Sequence, residues 1–139
     1  MPFNSTAQGP LRFAGYAALF DVPDAARDVI RHGAFEATLE NRAGPVPLLW
    51  QHRPEQQIGT VDHIAEDHKG LRVIASIARN ASRGARMLRD RKVNGLSFGY
   101  RTKSAVHSAA GRELIEIELF EVSLVTDPLQ FGARVHFIT

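Results

Sequence analysis

With 139 residues, 44% of them hydrophobic, the chain can bury one core and is too short for two, which predicts a single domain over 1–139. The lack of cysteine excludes disulfides, thiolate catalysis and cysteine-based zinc sites, and suits a reducing compartment. Seventeen Lys and Arg against fifteen Asp and Glu leave a charge of +2, too small for a nucleic-acid footprint, and no run reaches the roughly 18 apolar residues that a membrane span needs.

Residues 1–10, with Pro2, Gly9 and Pro10, read as a loose leader without the charged and apolar regions of an export signal. Alternation of Leu11, Phe13, Gly15, Ala17 and Leu19 predicts a strand that ends at Asp21-Val22-Pro23-Asp24. Arg27 to Ile30 is a short extended stretch, and Gly33 to Leu39 reads as a two-turn helix with Phe35 and Leu39 on one face. Pro45 and Pro47 fence the strand Leu48-Leu49-Trp50-Gln51-His52, which Arg53-Pro54 ends at once. Ile58–Ala65 and Leu71–Ala78 flank the turn Glu66-Asp67-His68-Lys69-Gly70 and predict a β-hairpin.

Asn80 or Ser82 can cap a helix running to about Lys92, whose basic run Arg83, Arg86, Arg89, Arg91 and Lys92 reads as a solvated face for want of interleaved aromatics. Asn94-Gly95 turns the chain into a strand over Leu96–Thr102. A last long strand covers Glu113–Thr126, and a short apolar tail follows Asp127-Pro128. Short strands interrupted by two helices, without regular strand–helix alternation, predict an α+β fold: a mainly antiparallel β-barrel surrounded by a few helices.

In Gly95-Leu96-Ser97-Phe98-Gly99-Tyr100, period two places Ser97 and Gly99 opposite Leu96, Phe98 and Tyr100. The two glycines leave the Ser97 hydroxyl unshielded, as a nucleophile requires, although a surface serine is the commoner origin of such a hexamer. The hexamer also satisfies G-x-S-x-G, but that elbow joins a strand to a helix, and here strand-like residues follow; Ser97, Asp127 and His136 would be its triad. A serine hydroxyl needs a base. Of six histidines, His52 alone follows an apolar strand and precedes a rigid break.

Asp62-His63 and Asp67-His68 match no familiar metal-ligand spacing, and no metal or cofactor is expected. Counting by twos places Glu121 on the stripe of Ile115, Ile117 and Leu119. A carboxylate there needs a partner, either an imidazole to orient or an arginine to bridge. A bulge would reverse the parity and favour Glu118.

Asp28-Val29-Ile30 with Gly33-Ala34-Phe35, then Leu48-Leu49-Trp50-Gln51-His52, Ile58-Gly59, Gly95-Leu96-Ser97-Phe98-Gly99-Tyr100 and Leu119-Phe120-Glu121-Val122-Ser123 together resemble the tailed-phage prohead maturation proteases. The resemblance runs in order from about Phe13 to Pro128 and implies a fold similar to the herpesvirus capsid-assembly protease. It further implies His52 and Ser97 as catalytic residues, with Glu121 as the third member and Glu118 as second choice. The implied task is cleavage of the major capsid protein or its scaffolding segment inside the assembling prohead, in the bacterial cytoplasm, with a homodimer as the implied assembly. Asp127-Pro128-Leu129-Gln130 stands where the family commonly shows a Pro-Ala-Asn-like tripeptide, and the short ends fit a reduced capsid system such as a gene transfer agent.

Overall fold

The computed structural model describes residues 10–77 and 83–139. The leader over 1–9, Ala78 and the cap expected at Asn80 or Ser82 lie outside the described residues. Alternating apolar residues set the strands: β1 (Leu11–Leu19), β2 (Asp28–Ile30), β3 (Val46–Trp50), β4 (Arg53–Glu66), β5 (Gly70–Ile77), β6 (Gly95–Ser108), β7 (Gly111–Val125) and β8 (Val135–Ile138). Among the described residues, two short helices, α1 (Glu36–Asn41) and α2 (Arg83–Arg89), join the strands.

One eight-stranded sheet runs β2-β7-β3-β4-β5-β1-β8, with β6 on the other edge of β7. Most pairs are antiparallel; β2 and β3 instead run parallel to β7, at Asp28–Ile30 with Arg112–Leu114 and at Leu48–Trp50 with Val122–Leu124. The sheet closes on itself where Leu96 N–H donates to the Ala133 carbonyl (2.9 Å) and Val135 N–H to that of Asn94 (2.8 Å). The predicted fold class, a mainly antiparallel barrel with helices outside, therefore holds. Phe13, Phe35, Leu48, Leu71, Ile77, Leu96, Ile117 and Leu124 fill the interior, each contributing about 1.5–3 kcal/mol by leaving water.

Several boundaries differ from expectation for identifiable reasons. The helix predicted from Gly33 starts at Glu36, because Gly33 has φ +92° and the Glu66 carboxylate of β4 accepts the N–H groups of Gly33 (2.8 Å) and Phe35 (2.9 Å). The second helix stops at Arg89 rather than Lys92. Arg91 adopts φ 58°, and Lys92 N–H reaches back to the Met87 carbonyl (2.8 Å), a left-handed cap usually made by glycine. Its basic side chains are exposed, as the solvated-face reading expected. The strand predicted over Leu96–Thr102 extends to Ser108, with His107 opposite Arg112, because β6 and β7 continue pairing as a ribbon.

Candidate active site

Strand β3 ends at Trp50, which pairs with Arg53 of β4, so Gln51 and His52 are the two central residues of a tight hairpin turn rather than the end of the strand. Both are left-handed, with φ 53° and 61°. That geometry normally selects Asn-Gly, and an L-residue with a full side chain there costs about 1–2 kcal/mol. Strand β7 holds the turn in place. Gln51 N–H donates to the Leu124 carbonyl (3.0 Å), the Gln51 side chain accepts from Thr126 N–H (3.2 Å), and His52 N–H donates to Ser123 Oγ (3.1 Å).

Beneath this turn, His52 Nδ1 lies 2.6 Å from Glu121 Oε2, and Ser123 Oγ donates to the other carboxylate oxygen at 2.7 Å. An ionised carboxylate only accepts, so Nδ1 carries the proton and the neutral ring leaves Nε2 as a free base. The hydrogen bond that His52 donates to Glu121 raises its pKa above the usual imidazole value; partial burial opposes the shift and the carboxylate's charge adds to it.

The β6–β7 register sets Ser97 opposite Ser123 and Gly99 opposite Glu121. Leu96, Phe98, Val122 and Leu124 point into the core, so Ser97, Gly99, Ser123 and Glu121 share the outer face of the ribbon. Ser97 is only 8% exposed, and its hydroxyl makes no hydrogen bond among the described residues. A Cβ on Gly99 would strike Glu121 Oε2 and stand 2.9 Å from its Cδ. Gly99 thus clears the path of the carboxylate toward His52, a role the sequence reading missed when it took the glycine as unshielding the hydroxyl.

The stripe expected over Ile115, Ile117, Leu119 and Glu121 is not one face. Register slips skip Ile115, which is 41% exposed, and Phe120, which is 52% exposed. The slip at Phe120 turns Glu121 onto the outer face, while Glu118 bridges Arg101 at 2.5 Å on the surface. Glu121 meets the imidazole and Glu118 the arginine.

Strand β6 runs unbroken through Ser97, so no strand-to-helix elbow exists. His136 instead packs near the Tyr16 ring (5.8 Å), and burial together with Arg72 and Lys69 lowers its pKa. Asp67 receives the Tyr16 hydroxyl (2.5 Å) and Asp62 the Ser76 hydroxyl; among the described residues no three His, Asp or Glu gather as metal ligands. A cleft of about 440 Å³ between α1, the start of β3 and Glu116–Phe120 of β7 is lined by Glu118 but not by His52 or Ser97.

The curled, mainly antiparallel barrel has a herpesvirus-protease-like fold. The KSHV protease, crystallised with a hexapeptide phosphonate inhibitor, superposes with a TM-score of 0.60 at 14% identity, covering 91% of this chain and 64% of that one. The chain belongs to the caudovirus prohead serine protease family, whose profile matches residues 3–139. It is 32% identical to the prohead protease of Enterobacteria phage HK97 over 130 residues, covering 88% of this chain and 58% of that protein. It is 29% identical over 126 residues to the capsid polyprotein of Pseudomonas phage PAJU2, covering 81% of this chain but 18% of that one. The chain thus spans little more than half the length of the first relative and less than a fifth of the second.

Proposed function

We propose that this chain is a serine endopeptidase that cleaves the major capsid protein or its scaffolding segment during prohead maturation. Ser97 is the nucleophile, His52 the general base and Glu121 the orienting acid. The observation that carries the reading is the 2.6 Å contact from His52 Nδ1 to Glu121 Oε2, on the face of the β6–β7 ribbon that also holds Ser97. With Nδ1 engaged, His52 Nε2 takes the Ser97 proton as Oγ attacks the peptide carbonyl. The Glu121 charge stabilises the imidazolium, which then protonates the leaving amine; water releases the acyl-enzyme by the same steps. Side chains and water suffice, with no cofactor.

An extended peptide fits the edge of β6. Leu96 N–H points away from β7 toward Ala133, so by alternation the main chain of Phe98 also faces away from β7. Among the described residues nothing takes the Phe98 N–H. A substrate strand added there runs past Ser97. The names of the relatives, a prohead protease and a capsid polyprotein, support capsid protein as the substrate and the assembling prohead as the place of action, and the reading sets that prohead in the bacterial cytoplasm. No described helix is long and apolar enough to cross a membrane. A homodimer belongs to the same reading, and light scattering of the purified protein tests it.

The deciding experiment co-expresses the cognate major capsid protein with wild type or Ser97→Ala and measures intact masses. Loss of a terminal capsid segment with wild type alone supports the protease and gives its cut site. Unchanged masses in both, with association retained, would replace it by a non-catalytic assembly module.

A further inference from the structure

Ser123 is fully buried, yet it touches each part of the proposed machinery. Its Oγ accepts from His52 N–H (3.1 Å) and donates to Glu121 Oε1 (2.7 Å), and its backbone pairs with Ser97 across the ribbon. The polarity is fixed by chemistry. A main-chain N–H can only donate, so the hydroxyl accepts there, and its single proton goes to the carboxylate. With His52 Nδ1 on Glu121 Oε2 (2.6 Å), the bonds close a ring that grips His52 by its main chain and its imidazole together.

We infer that Ser123 is a positioning residue for the reaction, one that sets the rotation of the Glu121 carboxylate and holds His52 in its left-handed turn so that Nε2 faces Ser97. The inference rests on the proposed protease reading. Positions 121 and 123 lie two apart on one strand and so share a face, which makes β7 a two-pronged clamp: one prong holds the ring of His52 and the other its main chain. Without the hydroxyl, His52 N–H and Glu121 Oε1 each lose their partner. The carboxylate then turns about its side chain, and the left-handed turn loses one of the bonds that hold it. The outcome is a displaced base, and displacements of this kind cost up to about a hundredfold in rate.

The test uses a fluorophosphonate, which phosphonylates an activated serine with loss of fluoride, applied to wild type, Ser97→Ala, Ser123→Ala and Ser123→Cys, with circular dichroism to confirm folding. Wild type is expected to label at Ser97. Ser123→Ala should lower the maximal labelling rate by about tenfold to a hundredfold while the half-saturating probe concentration holds. Ser123→Cys, which keeps a weak donor, should fall between them. A residue needed only for packing predicts the opposite order, since the larger sulfur strains a fully buried position. The downfield Nδ1 proton of His52 should shift upfield or disappear in Ser123→Ala by NMR. Labelling of Ser123→Ala at the wild-type rate, or an unmoved Nδ1 resonance, overturns the inference and leaves the protease reading intact. Equal labelling of wild type and Ser97→Ala overturns the protease reading, and the inference with it.

Discussion

The two turns that bracket β4 are built on opposite principles. At the β4–β5 turn, Asp67 accepts the N–H groups of Lys69 (2.8 Å) and Gly70 (3.0 Å), and its own N–H returns to the Gly70 carbonyl (2.9 Å). Residues within the turn satisfy one another, as Asp and Gly are suited to do. The β3–β4 turn has no such local support. Gln51 and His52 take up a conformation that neither favours, and Ser123 and Leu124 of β7, with Thr126 just past its end, hold them there. One turn serves the chain's local economy; the other is strained to carry an imidazole, and the fold compensates from a neighbouring strand.

The sharpest way to break the comparison is at the carboxylate. Glu121→Gln should lower proteolysis of the capsid protein by about 10³- to 10⁴-fold, because the amide supports the wrong tautomer, while the circular dichroism spectrum stays that of the wild type. Gly99→Ala comes next: the added methyl pushes Glu121 away from His52, and activity should fall about a hundredfold. Asp67→Ala reverses the pattern. Stability should drop by about 1–2 kcal/mol in urea titrations with kcat unchanged, and a large loss of activity there would show that the two turns are not independent.

The smallest effect is in pH dependence. His52 must be neutral to act as base, so the acid limb of kcat/KM should lie above the ordinary imidazole value of 6.5 and move down in Glu121→Gln. Stability runs the other way. A pKa raised by folding stabilises the fold fully below 6.5, and that contribution is lost as pH rises through the raised value. Activity therefore increases over the window in which this contribution fades, which pH-dependent kinetics and urea titrations would read side by side.

The contrast also explains what could be read in the sequence. Strand β5, with clean alternation, was legible because it buries one face, whereas β1 was legible as an apolar run although it buries residues of both faces, Ala14 and Ala18 as well as Phe13 and Ala17. The pairing of Glu121 with His52 was anticipated from motif resemblance, but the counting argument behind it failed, since Ile115 and Phe120 slip out of register and period two does not survive a bulge. The left-handed Gln51 and His52 left no local signal, because β7 imposes their conformation from about 70 residues away in the chain. The carboxylate's need for Gly99 was hidden for the same reason: it depends on which residue stands across the ribbon. Ser123 did leave a trace, a polar residue two positions after Glu121 inside the apolar run Val122-Ser123-Leu124-Val125.

The parallel pairing of β3 with β7 bears on the timing of folding. His52 and Glu121 are 69 positions apart, and the ladder that brings them together forms only after every residue between them has been made. Contacts of such long sequence separation carry a loop-closure cost and tend to form late. The His52–Glu121 pair is then absent from a chain made only as far as β3 and is completed by folding itself, so the proposed protease would meet its surroundings before it could cut them.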